Sequence, residues 1–206
     1  MTILSIETSS ARGSLGVVRD GVVLFEQTFT SERSHNSQLF APLGEALALC
    51  GADLQGIVVG LGPGSYTGAR IGIAAAQGIA LSRNISVFGL PSVLAPDVAE
   101  LPAEFVVCGD ARRGSYFTAE IREEQLVGEI ELHSADALAI RRAADSERTW
   151  FSFDDKIPLD LPAVQLAKPS AVLLAKLAAD PSVNKAPRVL EPIYLAGAFV
   201  TQPKKL

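Results

Sequence analysis

Alternating and continuous runs of apolar residues at the start of the chain predict three neighbouring strands. Thr2–Glu7 and Ser14–Arg19 have strand-like patterns, and Val22–Phe29 follows with a similar composition. Between the last two runs, Asp20-Gly21 is a dipeptide that favours a tight hairpin turn. The chain is therefore predicted to open with a three-stranded meander.

The next segments introduce a helical pattern. Apolar positions recur at helical spacing over residues 34–50, and Gly51 is suited to end that helix. Buried strands are predicted at 57–61 and 85–90, with a helix of small residues, 68–82, between them. Such a strand–helix–strand crossover predicts an α/β fold with a mixed sheet covered by helices.

The pattern starts again after the proline-containing segment 91–102. Predicted strands at 104–108 and 115–122 repeat the order of an acid-ended strand, a turn and a second strand. We therefore predict an internal duplication, with lobes at residues 1–102 and 103–206. Because 13 of the 17 glycines precede residue 100, the second lobe is expected to contribute little to a glycine-rich site.

The composition indicates a globular protein and disfavours several functions. The chain has 206 residues, of which 48% are apolar, enough to form a core. Its net charge of −5 offers no general attraction for polyanions, which disfavours direct RNA binding. The longest apolar stretch, 71–81, is well short of the roughly 20 residues that span a membrane. The amino terminus has no leader pattern, so we expect a cytoplasmic protein.

The residue types that bind metals or form disulfides are few and widely separated. Cys50 and Cys108 each lie in an apolar stretch and are predicted to be buried thiols. His35 and His133 have no second ligand at metal spacing, so no metal site is predicted.

The most distinctive motif is Gly-Pro-Gly-Ser-Tyr-Thr-Gly-Ala-Arg-Ile-Gly at residues 62–72. A strand that enters a glycine-rich bend before a helix presents backbone N–H groups at the positive end of the helix dipole, where phosphate binds. A tight turn that needs glycine dihedrals and binds no ligand is the alternative. The candidate phosphate contacts come from this bend and from acids at two strand ends: Gly62, Gly64, Ser65, Thr67, Glu7 and Asp110.

The helix after the bend carries small residues at every fourth position. We call this set the small-residue stripe: Gly68, Gly72, Ala76 and Ala80. Glycine in a helix costs about 0.8–1.0 kcal/mol relative to alanine, so a close approach of another backbone is expected to compensate. That backbone belongs either to the chain's own sheet or to a helix of a second protein, and the sequence leaves both open.

Several short motifs accompany the string at 62–72, in a fixed order along the chain: Ile6-Glu7-Thr8-Ser9, Ser34-His35, Asp110-Ala111-Arg112 and Glu191-Pro192-Ile193-Tyr194-Leu195. Together they resemble the TsaB family, which takes part in the synthesis of threonylcarbamoyladenosine on tRNA. The family usually continues Tyr-Leu with an arginine, whereas this chain has Ala196. Its second half is also shorter than in longer relatives.

The resemblance implies an actin-like ATPase fold with two ribonuclease-H-like lobes, of which the second is reduced. In that superfamily a nucleotide lies between the lobes, held partly by a glycine-rich adenosine loop of the second lobe. No such loop is visible in this sequence. The paralogue TsaD holds a metal through paired histidines, whereas the comparable stretch here, 89–96, contains no histidine.

The resemblance further implies a non-catalytic scaffold, with no catalytic or metal-binding residues, and the net charge already disfavours direct tRNA binding. Such a scaffold binds and activates TsaD, which modifies the adenosine beside the tRNA anticodon, and the ATPase TsaE joins the assembly. ATP is then expected only at the interface with TsaD.

The resemblance also implies where partners bind. The first two helices of TsaB-like proteins pack against the matching pair of TsaD, and the same surface forms homodimers. On this basis Leu39, Leu43 and the small-residue stripe are assigned to the partner interface. The alternative packs the stripe against the chain's own sheet and leaves Ile73 and Gln77 facing outward.

The main competing function is an enzyme that binds and hydrolyses ATP. In this hypothesis Glu7 and Asp110 face one cleft, bind Mg²⁺ and orient water. The missing adenosine loop argues against it, and the lack of a GxxxxGK[ST] lysine excludes a phosphate-loop NTPase. The GxGxxxG spacing disfavours a dinucleotide enzyme, and no serine–histidine pair in the sequence supports a peptidase.

Overall fold

The structure, a computed structural model, describes residues 1–30, 35–183 and 190–195. The first lobe contains β1 (Thr2–Glu7), β2 (Arg12–Arg19), β3 (Val22–Thr30), α1 (His35–Cys50), β4 (Leu54–Gly60), α2 (Tyr66–Arg83) and β5 (Ser86–Leu90). The second contains β6 (Glu104–Arg112), β7 (Ser115–Arg122), β8 (Gln125–Ser134), α3 (Ala135–Ala144), β9 (Thr149–Ser152), β10 (Val164–Leu166) and α4 (Ala171–Ala179).

The two lobes have sheets with the same plan. Each sheet has five strands, in the orders β3-β2-β1-β4-β5 and β8-β7-β6-β9-β10. In both, the first strand of the lobe is antiparallel to the second and parallel to the fourth. This repetition confirms the predicted pair of ribonuclease-H-like lobes. The second lobe is reduced, since a 3₁₀ turn at Pro158–Asp160 stands where the first lobe has α2.

The first lobe follows the sequence pattern closely. Asp20 and Gly21 both have positive φ, 50° and 81°, which forms the predicted tight turn between β2 and β3. In α1, residues at helical spacing face the core, and Gly51 follows the helix with a φ of 56°. The buried residues of α1 include Leu39, Leu43, Ala46 and Cys50.

Helix α4 connects the lobes, because it comes from the second lobe and packs on the first sheet against β1, β2 and β4. The backbone N–H of Ala171 donates to Ser14 Oγ of β2 at 3.0 Å. At Gly16 an added Cβ would lie 3.1 Å from the backbone nitrogen of Val172. The predicted boundary at residue 102 thus lies between the last strand of the first sheet and the first strand of the second. Helix α4 nevertheless packs across that boundary, on the sheet of the first lobe.

Candidate functional site

The bend between β4 and α2 is held by β1 and β5. Gly62 has a φ of 87°, which favours glycine, and a Cβ at Gly64 would collide with the carbonyl oxygen of Ser9. The N–H of Ser65 donates to that same oxygen at 2.5 Å. Ser65 Oγ accepts from the N–H of Gly68 at 3.1 Å and caps α2. These glycines are therefore explained by the turn and its close approach to β1.

Glu7 lies behind the bend and is fully buried. Its Oε1 accepts from the N–H of Ser9 at 2.5 Å, and its Oε2 accepts from the hydroxyl of Ser92 at 2.6 Å. Ser92 Oγ in turn accepts from the N–H of Gly62 at 2.9 Å. Burial raises the pKa of Glu7, and the hydrogen bonds from Ser9 and Ser92 oppose that rise. Glu7 therefore fastens the strand ends to the bend.

A cleft of about 830 Å³ lies between the two lobes, in front of the bend. Of the predicted phosphate contacts, Gly64, Ser65, Thr67 and Asp110 line it. Gly62 and Glu7 do not line it, so the prediction that they face a ligand is corrected for these two residues. The physical reason is that both are used in the hydrogen-bond chain through Ser92.

The acidic side of the cleft comes from the second lobe. Asp154 Oδ2 accepts from the N–H of Asp110 at 2.8 Å, and Asp110 Oδ1 accepts from the N–H of Arg112 at 2.6 Å. Burial raises the pKa of Asp154, the N–H bond from Asp110 lowers it, and the Asp110 carboxylate raises it further. Both carboxylates thus stabilise their own loop as well as lining the cleft.

The small-residue stripe faces the chain's own sheet. All four of its residues are buried, and a Cβ at Gly72 would collide with Thr8 Oγ1 of the loop after β1. The Thr8 hydroxyl donates to the carbonyl oxygen of Gly68 at 2.8 Å. The assignment of Gly68, Gly72, Ala76 and Ala80 to a partner surface is therefore wrong for this monomer. Leu39 is fully buried as well.

A different face of the same two helices is open. An apolar groove of about 550 Å³ runs between α1 and α2, and it is lined by Phe40, Leu43, Gly44, Leu47, Ile71, Ala74, Ala75, Gly78 and Ile79. We call it the α1/α2 groove. Leu43 is the one residue of the predicted interface that lines it. Phe40 is 56% exposed, and a Cβ at Gly44 or Gly78 would meet no atom within 4 Å.

Sequence reasoning missed this groove because α2 carries two apolar faces. The second face carries Ile71, Ala75 and Ile79, which are also four residues apart, so the spacing alone does not distinguish it from the small-residue stripe. The alternative that the sequence left open, with the stripe on the sheet, holds in part: Gln77 is exposed, whereas Ile73 is buried.

Other predicted features have the following positions. Cys50 and Cys108 are buried free thiols, as predicted, and burial raises both pKa values, that of Cys108 to about 12.

Among residues 1–30, 35–183 and 190–195, no group of three or more His, Cys, Asp or Glu residues is placed to hold a metal ion. Within those ranges no helix is long and apolar enough to cross a membrane. Ser34, Ala196 and the His35 side chain lie outside the described parts.

Comparisons with known proteins agree on one family. The family model for TsaD, tRNA N6-adenosine threonylcarbamoyltransferase, matches residues 24–181. An uncharacterised protein of Mycobacterium tuberculosis is 32% identical over 94% of this chain and 91% of its own length. The tRNA threonylcarbamoyladenosine biosynthesis protein TsaB is 29% identical in Bacillus subtilis, over 76% of this chain and 73% of that protein.

TsaB of Haemophilus influenzae is 26% identical over 95% of this chain and 93% of its own. The solved structure of YeaZ from Pseudomonas aeruginosa shares the fold, with a TM-score of 0.71 at 23% identity over 94% of this chain and 99% of that one. The chain belongs to the TsaB/YeaZ family, as its two lobes, its glycine bend and its similarity to these relatives show.

Proposed function

We propose that this protein is a non-catalytic scaffold that binds and activates TsaD in forming threonylcarbamoyladenosine at the adenosine beside the tRNA anticodon. TsaE joins the same assembly. The observation that carries the proposal is the α1/α2 groove, an open apolar face on the two helices that the family resemblance assigns to partner binding.

The groove suits a helical partner for physical reasons. Its lining is apolar along both helices, and burial of such surface contributes about 25 cal/mol per Å² removed from water. Gly44 and Gly78 leave open space above their helices, so a partner's ridge of side chains can settle close to the backbone. Without TsaD, a second copy of the chain fills the same groove and forms a homodimer.

The lack of catalysis is supported by the position of Glu7, one of the two candidate catalytic acids. Glu7 has both carboxyl oxygens occupied by Ser9 and Ser92 and does not line the cleft. The stretch that corresponds to the metal-binding histidines of TsaD contains Ser92 and no histidine. In this proposal the metal and the transferred group belong to TsaD.

The test is a binding titration with TsaD of the same organism. Gly78→Leu adds a side chain at an exposed position that lines the groove, where a Cβ meets no atom within 4 Å, and is expected to weaken the complex by 100-fold or more, on the order of 3 kcal/mol. Gln77→Leu adds the same side chain to an exposed position of α2 outside the groove and is expected to bind normally.

Before the titration, both variants are checked by thermal unfolding to be at least as stable as the parent. Equal affinity of the parent and Gly78→Leu, or no complex of the parent chain at micromolar concentration, would contradict the proposal. Homodimerisation is followed in parallel by light scattering, where Gly78→Leu is expected to be monomeric and Gln77→Leu dimeric.

A second candidate, an ATP-binding or ATP-hydrolysing enzyme, is favoured by the cleft between the lobes. A space of about 830 Å³ bordered by Ser65, Thr67 and Asp110 is within the usual size range of small-molecule sites. Phosphate release by the isolated chain, abolished by Asp110→Asn, is the result that would favour this enzyme over the scaffold.

A further inference from the structure

Four exposed residues of α2 form a row along the helix. Tyr66, Arg70, Ala74 and Gly78 lie at every fourth position, and all four are exposed. Residues at this spacing lie one above the other on one side of a helix. Ala74 and Gly78 line the α1/α2 groove, and Tyr66 lines the cleft between the lobes. The row therefore continues from the groove to the edge of the cleft, with Arg70 between them.

Arg70 is held in place by two tyrosine rings. Its guanidinium lies 4.4 Å from the centre of the Tyr66 ring, and the ring of Tyr194 packs on Tyr66 with centroids 5.2 Å apart. The backbone next to Tyr194 is fixed as well, since the N–H of Ile193 donates to the carbonyl oxygen of Leu61 at 2.8 Å. A guanidinium that stacks on a ring still presents N–H groups at the edge of its plane, where a carboxylate binds.

Within the parts of the chain that the structure describes, Arg70 has no carboxylate partner. By contrast, the exposed Arg122 pairs with Glu104 at 2.9 Å. Helices α1 and α2 together carry two arginines, Arg70 and Arg83, and a single acid, Glu45, although the whole chain has a net charge of −5. The surface around the α1/α2 groove is therefore complementary to an acidic partner.

We propose that Arg70 determines which partner the α1/α2 groove accepts, by pairing with a carboxylate on the helical protein that fills the groove. This carboxylate lies beyond the partner's contact with Ala74, toward the amino-terminal end of α2 and beside the rings of Tyr66 and Tyr194. This role rests on the proposed function, because it requires a helical partner in the groove. A second copy of the chain suits the contact less well, since the single acid of its α1 and α2 is Glu45.

The size of the expected effect follows from the exposure of Arg70. An ion pair between exposed side chains contributes little to affinity, up to about a fivefold change in Kd. Such a pair acts mainly on the rate of association and on the choice of partner, and salt screens it. In this proposal the apolar groove therefore supplies most of the affinity, and Arg70 supplies specificity.

The test measures association and dissociation rates with TsaD of the same organism at about 50 mM and about 500 mM salt. Arg70→Glu places a like charge opposite the partner's carboxylate, so it is expected to associate about tenfold more slowly at the lower salt concentration, with most of the difference lost at the higher one. Arg70→Lys keeps the charge and is expected to stay within about twofold of the parent. Lys176→Glu makes the same charge reversal at an exposed position of α4 and is expected to match the parent.

Gly78→Leu, measured in parallel, separates the role of Arg70 from the proposed function. If Gly78→Leu prevents the complex but Arg70→Glu associates at the parent's rate in low salt, the role of Arg70 is contradicted while the scaffold function stands. If Gly78→Leu binds like the parent, both are contradicted. Light scattering tests a second copy as the source of the carboxylate. A homodimer lost in Arg70→Glu and regained in Arg70→Glu/Glu45→Arg, with association to TsaD unchanged, would also overturn the proposal.

Discussion

The carboxyl group of Glu7 has its oxygens engaged by Ser9 and Ser92, and the absence of a side chain at Gly60 makes room for it, because a Cβ there would overlap Oε2. The sequence indicated an acid at a strand end, a position from which acids often face ligands. It could not show the direction of the side chain, since β1 is buried along its whole length and has no polar face. Tertiary packing decides that direction.

The buried acid leads to a prediction about pH. Burial raises the pKa of Glu7 above its ordinary value of 4.5, so the folded protein binds this proton more tightly than the unfolded chain. Its stabilising contribution is therefore complete below the unfolded pKa and is lost as the pH rises through the folded pKa. Glu7→Gln removes the buried charge and keeps an acceptor for the N–H of Ser9, while its amide NH2 replaces the oxygen that accepts from the Ser92 hydroxyl. We expect it to be more stable than the parent at neutral pH, by on the order of 1 kcal/mol.

The measurement is urea unfolding at several pH values, where the advantage of Glu7→Gln should shrink toward about pH 4. Glu45→Gln, on the exposed side of α1, removes the same charge and controls for net charge. A Glu7→Gln variant less stable than the parent at every pH would mean that the ionised carboxylate is required by its two serine partners.

Among the elements, α2 shows what the sequence could and could not predict. The apolar runs and the Asp20-Gly21 turn predicted the first lobe's elements with ends displaced by a few residues. The face of α2 that packs inward could not be read, because both faces combine small and apolar residues. Five missed elements lie in the second lobe: β8, α3, β9, β10 and α4. Strands β9 and β10 are short, and α4 lacks a polar face.

The two faces of α2 predict opposite effects for the same substitution. Gly72→Ala places a methyl group against Thr8 Oγ1 and is expected to lower the free energy of unfolding by about 1–3 kcal/mol. Gly78→Ala meets no atom within 4 Å and is expected to raise it by about 0.8–1.0 kcal/mol through helix propensity. Thermal and urea unfolding of this matched pair provide the measurement. Similar changes in both variants would mean that Gly72 does not approach the sheet closely.

For the whole molecule, α4 is the structural link between two lobes of similar plan. The core that lies between the sheets combines residues of the first sheet, such as Ile3 and Val58, with Phe105 and Phe151 of the second and Leu174 of α4. A boundary near residue 102 is therefore visible in the strand order but not in the packing. Because removal of α4 would uncover the first sheet, the two lobes are expected to unfold together.

The substitution Leu174→Ala, on α4, tests whether the two lobes unfold together. Leu174 is fully buried on α4, and Trp150, the chain's single tryptophan, is fully buried on β9 of the second lobe. Loss of the leucine side chain is expected to cost about 2–5 kcal/mol. In urea, Trp150 fluorescence and far-UV circular dichroism should move together to the same lower midpoint. Lys176→Ala, an exposed change on α4, should leave both midpoints in place. If the Trp150 transition stayed at its original midpoint while circular dichroism split into two steps, the lobes would be independent folding units, because the second sheet would survive without the packing of α4.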